Sequence, residues 1–225
     1  MRPAPLRLYY GGTFDPIHNG HLAIACRARD HFGVPVRLVP SADPPHRAAP
    51  GASAAQRLAM VELAIGGRPG LVVDEGEIQR ALRWPGRPSY TVDTLEALRK
   101  ERGPDVPLAW LVGGDSLASL TRWRRWQDLF ALGHIVVVDR EGSGSQESLS
   151  EAIAAVVRGN GWTPDPQVLS KCPAGCLYRL PMPLRPESST AVRSAVAAGM
   201  AIDHLVPATV AAYVAGHQLY GVDGA

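Results

Sequence analysis

From residue 6 to residue 138 the chain alternates short continuous runs of Leu, Val, Ile and Tyr with longer segments whose apolar residues recur at helical spacing. This alternation constrains the fold more than any other feature. Residues 6–10, 36–39, 71–73, 108–112 and 134–138 read as strands, and residues 20–32, 54–65, 91–101, 115–120 and 124–132 as helices. An apolar run without alternation fits a strand covered on both faces, and the crossovers between parallel strands supply the covering helices. The expected fold is therefore α/β: a Rossmann-like, doubly wound parallel sheet flanked by helices. A C-terminal helical portion, about residues 189–220 with a break near 203–207, is expected to pack on it. With 225 residues and no linker before that tail, the chain is expected to form a single domain, 1–225.

In an open sheet of this kind, ligands bind beyond the carboxyl ends of the strands, where connections diverge to opposite faces. The loops after Tyr10, Val39 and Val112 are the places to inspect. Two long segments break the rhythm, 40–51 (PSADPPHRAAPG) and 76–89 (GEIQRALRWPGRPS), and both are expected as binding loops. A third, 141–150, is rich in Gly and Ser and reads as a flexible connection.

Composition narrows the partners. Lys and Arg number 23 against 21 Asp and Glu, and a formal charge of +2 is too small for a surface that coats a polyanion, so no nucleic acid is expected. No apolar run approaches the roughly 18 residues of a membrane span, and the first ten residues lack the apolar core of a secretory signal. Three cysteines, Cys26, Cys172 and Cys176, are too few for a disulfide framework and agree with a reducing compartment; the expected location is the cytoplasm. Assembly into a homo-oligomer is left open by the sequence.

The first chemical constellation is GGTFDPIHNGHL, residues 11–22, between the first expected strand and the first expected helix. Glycine lets backbone approach a phosphate closely, and the free N–H groups at a helix start favour anions. His18 and His21 are three apart, so their rings share one face of the first turn. Two imidazole donors aimed at one phosphate would stabilise the charge of a phosphoryl-transfer transition state. Taken alone, such a pair is more often a surface accident or a cap. Zinc is a poor reading of it, because no third ligand sits at metal spacing and no glutamate lies between the histidines as in metalloproteases. Neither a Walker loop nor a dinucleotide fingerprint is present.

The second constellation is SSTAVRS, residues 188–194, entering a helix. Its hydroxyls can cap that helix or bond phosphate oxygens, and Arg193 on the first turn can fork onto a phosphate. Read alone it is chiefly a cap.

Together these segments resemble a known family. GGTFDPIHNGHL resembles the nucleotidyltransferase signature with its H-x-G-H core, and SSTAVRS resembles the matching S-S-T-x-I/V-R motif. PSADPPHR at 40–47, PSYTVDTL at 88–95, LVGGDSL at 111–117 and Trp123 narrow the likeness to bacterial nicotinate-nucleotide adenylyltransferases, over about residues 6–220. The resemblance implies an enzyme of NAD biosynthesis that joins nicotinate mononucleotide to ATP, releasing pyrophosphate, with the mononucleotide phosphate attacking the α-phosphorus directly. It implies that His18 and His21 hold the ATP phosphates, His21 nearer the α-phosphate, with Arg193 as the third catalytic group. Gly11, Gly12, Thr13, Phe14, Gly113, Asp115, Ser189 and Thr190 are implied for ATP, and His46, Arg47, Tyr90, Thr91 and Trp123 for the mononucleotide, Trp123 by stacking on the pyridine ring. Without the family, Trp123 reads as core. Mg2+ is implied as cofactor, carried mainly by the ATP phosphates, with no protein metal ligands.

The sequence departs from the pattern in places. Glu187 stands where a hydrophobic residue commonly precedes the two serines, and a carboxylate there would repel a triphosphate unless it points outward. Val192 replaces a commoner Ile, and residues 141–185 match weakly. Cys172 and Cys176 read as two free thiols, because a zinc site would need two more ligands. Alternatives are another acceptor, such as nicotinamide mononucleotide or phosphopantetheine, and a nucleotide sensor without catalysis. An aminoacyl-tRNA synthetase is disfavoured for want of room for a tRNA-binding domain.

Overall fold

The computed structural model describes residues 4–42, 50–138, 151–153, 155, 162–183 and 185–221. Seven strands form one sheet: β1 (Arg7–Gly12), β2 (Val36–Pro40), β3 (Leu71–Val73), β4 (Leu108–Gly113), β5 (His134–Val138), β6 (Trp162–Thr163) and β7 (Leu177–Leu180). Their order is β3-β2-β1-β4-β5-β7-β6, and every neighbouring pair is parallel.

Because side chains alternate along a strand, each strand feeds two cores. Leu8, Tyr10, Ala109, Leu111, Val136 and Val138 join one of them. That core is closed by Ala25 of α1 (Asn19–Phe32), Met60 of α2 (Ala54–Ile65), Val192 of α7 (Ser189–Ala197) and Val210 of α8 (Ala208–Gly216). Tyr9, Leu108, Trp110, Val112, Ile135 and Val137 join the other. It is closed by Leu95 of α4 (Thr91–Arg102), Leu117 of α5 (Gly114–Ala118) and Phe130 of α6 (Asp128–Leu132). Burial on both faces is what the unbroken apolar runs demanded. From β1 the chain winds outward through β2 to β3, and from β4 it winds the other way through β5, so the connections diverge between β1 and β4.

Two sequence expectations are corrected and one unassigned stretch is filled. Segment 76–89 is not all loop: α3 (Gly76–Arg83) occupies its first half, burying Glu77 and Ile78 and carrying Arg80 and Arg83 at its carboxyl end, where cations suit the helix dipole. Its polar residues and following Pro hid the helix, and Leu82 and Trp84 on its exposed side blurred the apolar period. Residues 162–180, which had no assignment, add β6 and β7 to the sheet. The break in the tail runs from residue 198 to 207, wider than expected. The connection 141–150 and the part of the 40–51 segment holding His46 and Arg47 lie outside the described residues. No helix among the described residues is long and apolar enough to cross a membrane.

Candidate active site

A cleft of about 750 Å³ opens where β1 and β4 end, between the turn into α1, the start of α5 and the start of α7. The residues expected to hold ATP line it: Gly11, Gly12, Thr13, Phe14, His18, His21, Gly113, Asp115, Ser189, Thr190 and Arg193. A second cavity of about 180 Å³ is lined by Tyr90, Thr91 and Glu77 and shares Gly11, Gly12, Thr13, Ser116 and Trp123 with the first. Two motifs some 170 residues apart in the chain are thus brought to one place, and Trp123 stands between the two spaces.

The turn after β1 is shaped by packing as well as by its opening to a ligand. A Cβ on Gly11 would run into the Trp110 ring, and one on Gly12 would lie 2.9 Å from the ring of Phe14, so a side chain at either position would force a buried ring to move. Phe14 itself has φ 51°, a left-handed conformation that costs a non-glycine residue energy. That conformation sends its ring into the core, 1% exposed, where it meets the His21 ring in a T-shaped contact with centroids 5.0 Å apart. His18 caps α1 in extended conformation, and its backbone N–H donates to His21 Nδ1 at 3.3 Å. An Nδ1 that accepts leaves the ring proton of neutral His21 on Nε2. The two imidazoles lie against each other, centroids 3.7 Å apart and planes tilted by 31°; His18 is buried, and His21 is the more accessible.

Asp15, to which the sequence reading gave no role, organises the loop. Its carboxylate accepts from the Gly51 N–H at 2.8 Å, the Ala52 N–H at 3.1 Å and the Tyr220 hydroxyl at 2.8 Å. Burial, then the bond to Asp15, pushes the Tyr220 hydroxyl well above the ordinary tyrosine pKa, so it stays a donor. Arg57, on α2 and 1% exposed, donates to the carbonyls of Thr13, Ser41, Ala42 and Ala52 at 2.6–3.2 Å. One guanidinium thereby joins the turn after β1 to both flanks of the 43–49 segment.

At the start of α7, Ser188 Oγ accepts from the Ala191 N–H, the cap the sequence implied. Ser189 Oγ donates to the Pro16 carbonyl at 2.9 Å, and Arg193 donates to the Asp15 carbonyl at 2.7 Å and to Thr190 Oγ1 at 3.3 Å. These bonds fasten α7 to the turn after β1 while Ser189, Thr190 and Arg193 all line the cleft. Glu187 does not point outward: it is 9% exposed, and its Oε1 accepts from Arg185 at 2.6 Å. The Arg185 guanidinium therefore offsets the charge that stood out as a departure.

In the smaller cavity Thr91 is the first residue of α4, where helix N–H groups lack intrahelical acceptors, and Tyr90 caps it with the Arg124 guanidinium 4.8 Å from its ring centroid. Half-buried Trp123 packs against the core that holds Leu117 and Leu120 and also borders both spaces. Glu77 accepts from the Thr94 hydroxyl at 2.6 Å, and Thr94 Oγ1 accepts from Arg80 at 2.6 Å. Burial raises the Glu77 pKa, against the pull of Thr94 and Arg80.

Asp15, Arg57, Glu77, Arg185 and Tyr220 are the site residues that sequence reasoning left out. Asp15 lies inside the quoted GGTFDPIHNGHL run, where an acidic residue amid glycines signals turn bonding; lone residues such as Tyr220 carry no local signal.

A model of the cytidylyltransferase-like family matches residues 9–195. A protein of Stenotrophomonas maltophilia (strain K279a) named probable nicotinate-nucleotide adenylyltransferase is 57% identical over 215 residues, 96% of each chain. One of Xylella fastidiosa (strain 9a5c) with the same name is 44% identical over 217 residues, 96% of this chain and 97% of its own. Among solved structures, Plasmodium falciparum nicotinic acid mononucleotide adenylyltransferase complexed with NaAD matches with a TM-score of 0.68, over 96% of this chain and 97% of its own; at 16% identity this is a likeness of fold.

Proposed function

We infer, for a chain that belongs to the cytidylyltransferase-like family and within it to the nicotinate-nucleotide adenylyltransferases, that it transfers the adenylyl group of ATP to nicotinate mononucleotide, giving nicotinate adenine dinucleotide and pyrophosphate. The observation that carries this reading is the 57% identity over 96% of both chains, and the site beside it has the parts the reaction needs: a large cleft holding both histidines and a small cavity bordered by Trp123.

In our reading the triphosphate lies in the large cleft and the mononucleotide in the small one, so the attacking phosphate meets the α-phosphorus near Gly11, Gly12 and Thr13, which line both. No protein nucleophile is required; catalysis is positioning and charge stabilisation. His21 would donate from Nε2 to the α-phosphate as its charge grows, held in that tautomer by the His18 backbone N–H. His18, whose ring lies against it with centroids 3.7 Å apart, would limit how far the His21 ring can swing. Ser189, Thr190 and Arg193 would grip the β- and γ-phosphates that leave as pyrophosphate, Arg193 being steadied by the Asp15 carbonyl. Trp123 would stack on the pyridine ring, and the N–H groups at the start of α4 would receive its carboxylate. An amide presented to those donors would leave one unpaired, which favours the acid.

The cleft suits a magnesium ion that arrives with the triphosphate. The Asp15 carboxylate is engaged by three donors and one oxygen of Glu187 by Arg185, and in our reading the ion's ligands are chiefly phosphate and water oxygens. When bound there, magnesium supplies neutralisation of the departing pyrophosphate charge. We place the reaction in the cytoplasm.

The test is pyrophosphate release from ATP and magnesium with nicotinate mononucleotide, nicotinamide mononucleotide and phosphopantetheine supplied separately. Release with the first alone is expected. Equal release with both pyridine nucleotides would overturn the preference for the acid, and silence with all three would overturn the function.

A further inference from the structure

At the amino-terminal ends of β5 and β7, the sheet edge opposite the cleft, three side chains suited to borderline metals converge. His134 opens β5, and Cys172 and Cys176 bracket the turn that leads into β7. The sequence had suggested two thiols lacking further ligands; the fold brings in an imidazole from 38 residues upstream of Cys172. The ligand atoms of all three lie within 4.8 Å of one another.

The geometry agrees with a shared ion in two independent respects. The Cys172 and Cys176 sulfurs are 3.8 Å apart. Two thiolates on tetrahedral zinc, each at about 2.3 Å, stand about 3.8 Å from each other. His134 is fully buried, and its Nε2 lies 2.9 Å from the Cys172 carbonyl oxygen. A carbonyl only accepts, so Nε2 carries the proton and Nδ1 keeps its lone pair, turned toward Cys176, whose N–H approaches to 3.1 Å. A histidine that ligates through one nitrogen while the other donates to a backbone carbonyl is the common arrangement around zinc.

We propose that His134, Cys172 and Cys176 form a zinc site of two sulfurs and one nitrogen, with a water molecule as fourth ligand, that fastens the turn before β7 to the start of β5. On binding, two thiol protons leave, Nδ1 exchanges the Cys176 N–H for the metal, and the sulfurs keep their present separation. The site stands apart from the cleft, so its effect is on stability rather than on turnover.

The test is anaerobic titration of the reduced full-length protein with Co2+, followed by optical absorption and displacement with Zn2+. Expected are a thiolate-to-cobalt charge-transfer band and tetrahedral ligand-field bands saturating at one equivalent, reversed by zinc. A thermal midpoint higher by about 5 °C or more at saturating zinc should accompany them. The charge-transfer band requires thiolate, so metal on the His18 and His21 pair does not produce it. Cys176→Ser should remove most of the band and the thermal shift, and His134→Gln should weaken binding with both thiolates kept. Absence of the band in wild type, or its full retention when Cys172 and Cys176 are both Ser, overturns the proposal. The wild-type titration stands whether or not the variants fold.

Discussion

The Tyr220 hydroxyl donates to Asp15 Oδ1 at 2.8 Å, joining the last described turn of the chain to the turn after β1, 205 residues away. The same carboxylate receives the Gly51 and Ala52 N–H groups, so the chain end helps to set where Asp15 holds Arg193. Tyr220→Phe removes one donor and leaves the other two. The expected cost is about 1 kcal/mol, read as a thermal midpoint lower by about 2–4 °C, with KM for ATP raised severalfold and kcat nearly kept. Calorimetry and steady-state kinetics check both; an unchanged KM would detach Tyr220 from the triphosphate.

His21 and His18 should separate kinetically. His21→Ala deletes a donor placed for the developing charge, and kcat is expected to fall about 10²–10³-fold with KM for ATP changed little. His18→Ala deletes the neighbouring ring but keeps the backbone N–H that sets the His21 tautomer, so a smaller loss is expected. Equal losses would mean that both rings touch the phosphates.

Much of this architecture was legible because its causes are local. Runs such as 108–112 and 135–138 are apolar at every position, and only burial on two faces asks for that. The two site motifs were legible because turn and cap chemistry is written in consecutive residues. What escaped depends on distant partners. α3 hides among polar residues because its buried pair, Glu77 and Ile78, is short and one member is charged. Arg57 looks like any helical arginine until four carbonyls from other segments surround it, and Tyr220 shows nothing until Asp15 is beside it. The glycines were expected for phosphate approach, yet Gly11 is also fixed by Trp110, a residue on the neighbouring strand.

Trp123 borders both spaces, and its role is to be read from which substrate suffers. Stacking of a base on an aromatic ring contributes about 1–3 kcal/mol, so Trp123→Ala should raise KM for nicotinate mononucleotide about 10- to 100-fold while that for ATP stays within a fewfold. Trp123→Phe should recover most of the loss. A larger effect on ATP would assign the ring to the other cavity.

Arg57 donates to four carbonyls from a 1% exposed position, and a lysine ammonium cannot reproduce that planar fork. Arg57→Met leaves buried acceptors unmet and is expected to cost about 3 kcal/mol or more, with Arg57→Lys close behind. Urea denaturation checks the order; a loss under about 1 kcal/mol for the Met variant would mean that water replaces the guanidinium at those carbonyls.

Glu77 gives the fold a pH dependence whose sign follows from its burial. Desolvation raises its pKa in the folded chain above the ordinary carboxyl value, with Asp74 adding to the shift and Thr94, Arg80 and the Ala42 N–H opposing it. A carboxyl that holds its proton more tightly when folded contributes stability below its unfolded pKa of about 4.3, and that contribution is lost as pH rises through the folded value. Wild type should therefore lose stability relative to Glu77→Gln as pH climbs from about 4 upward, the difference levelling off above the folded pKa. Glutamine keeps an oxygen to accept from Thr94, so the comparison isolates the charge. Urea unfolding of both proteins across that range measures it; a gap that widens in favour of wild type with rising pH would mean that Arg80 outweighs burial and that Glu77 is held as a carboxylate.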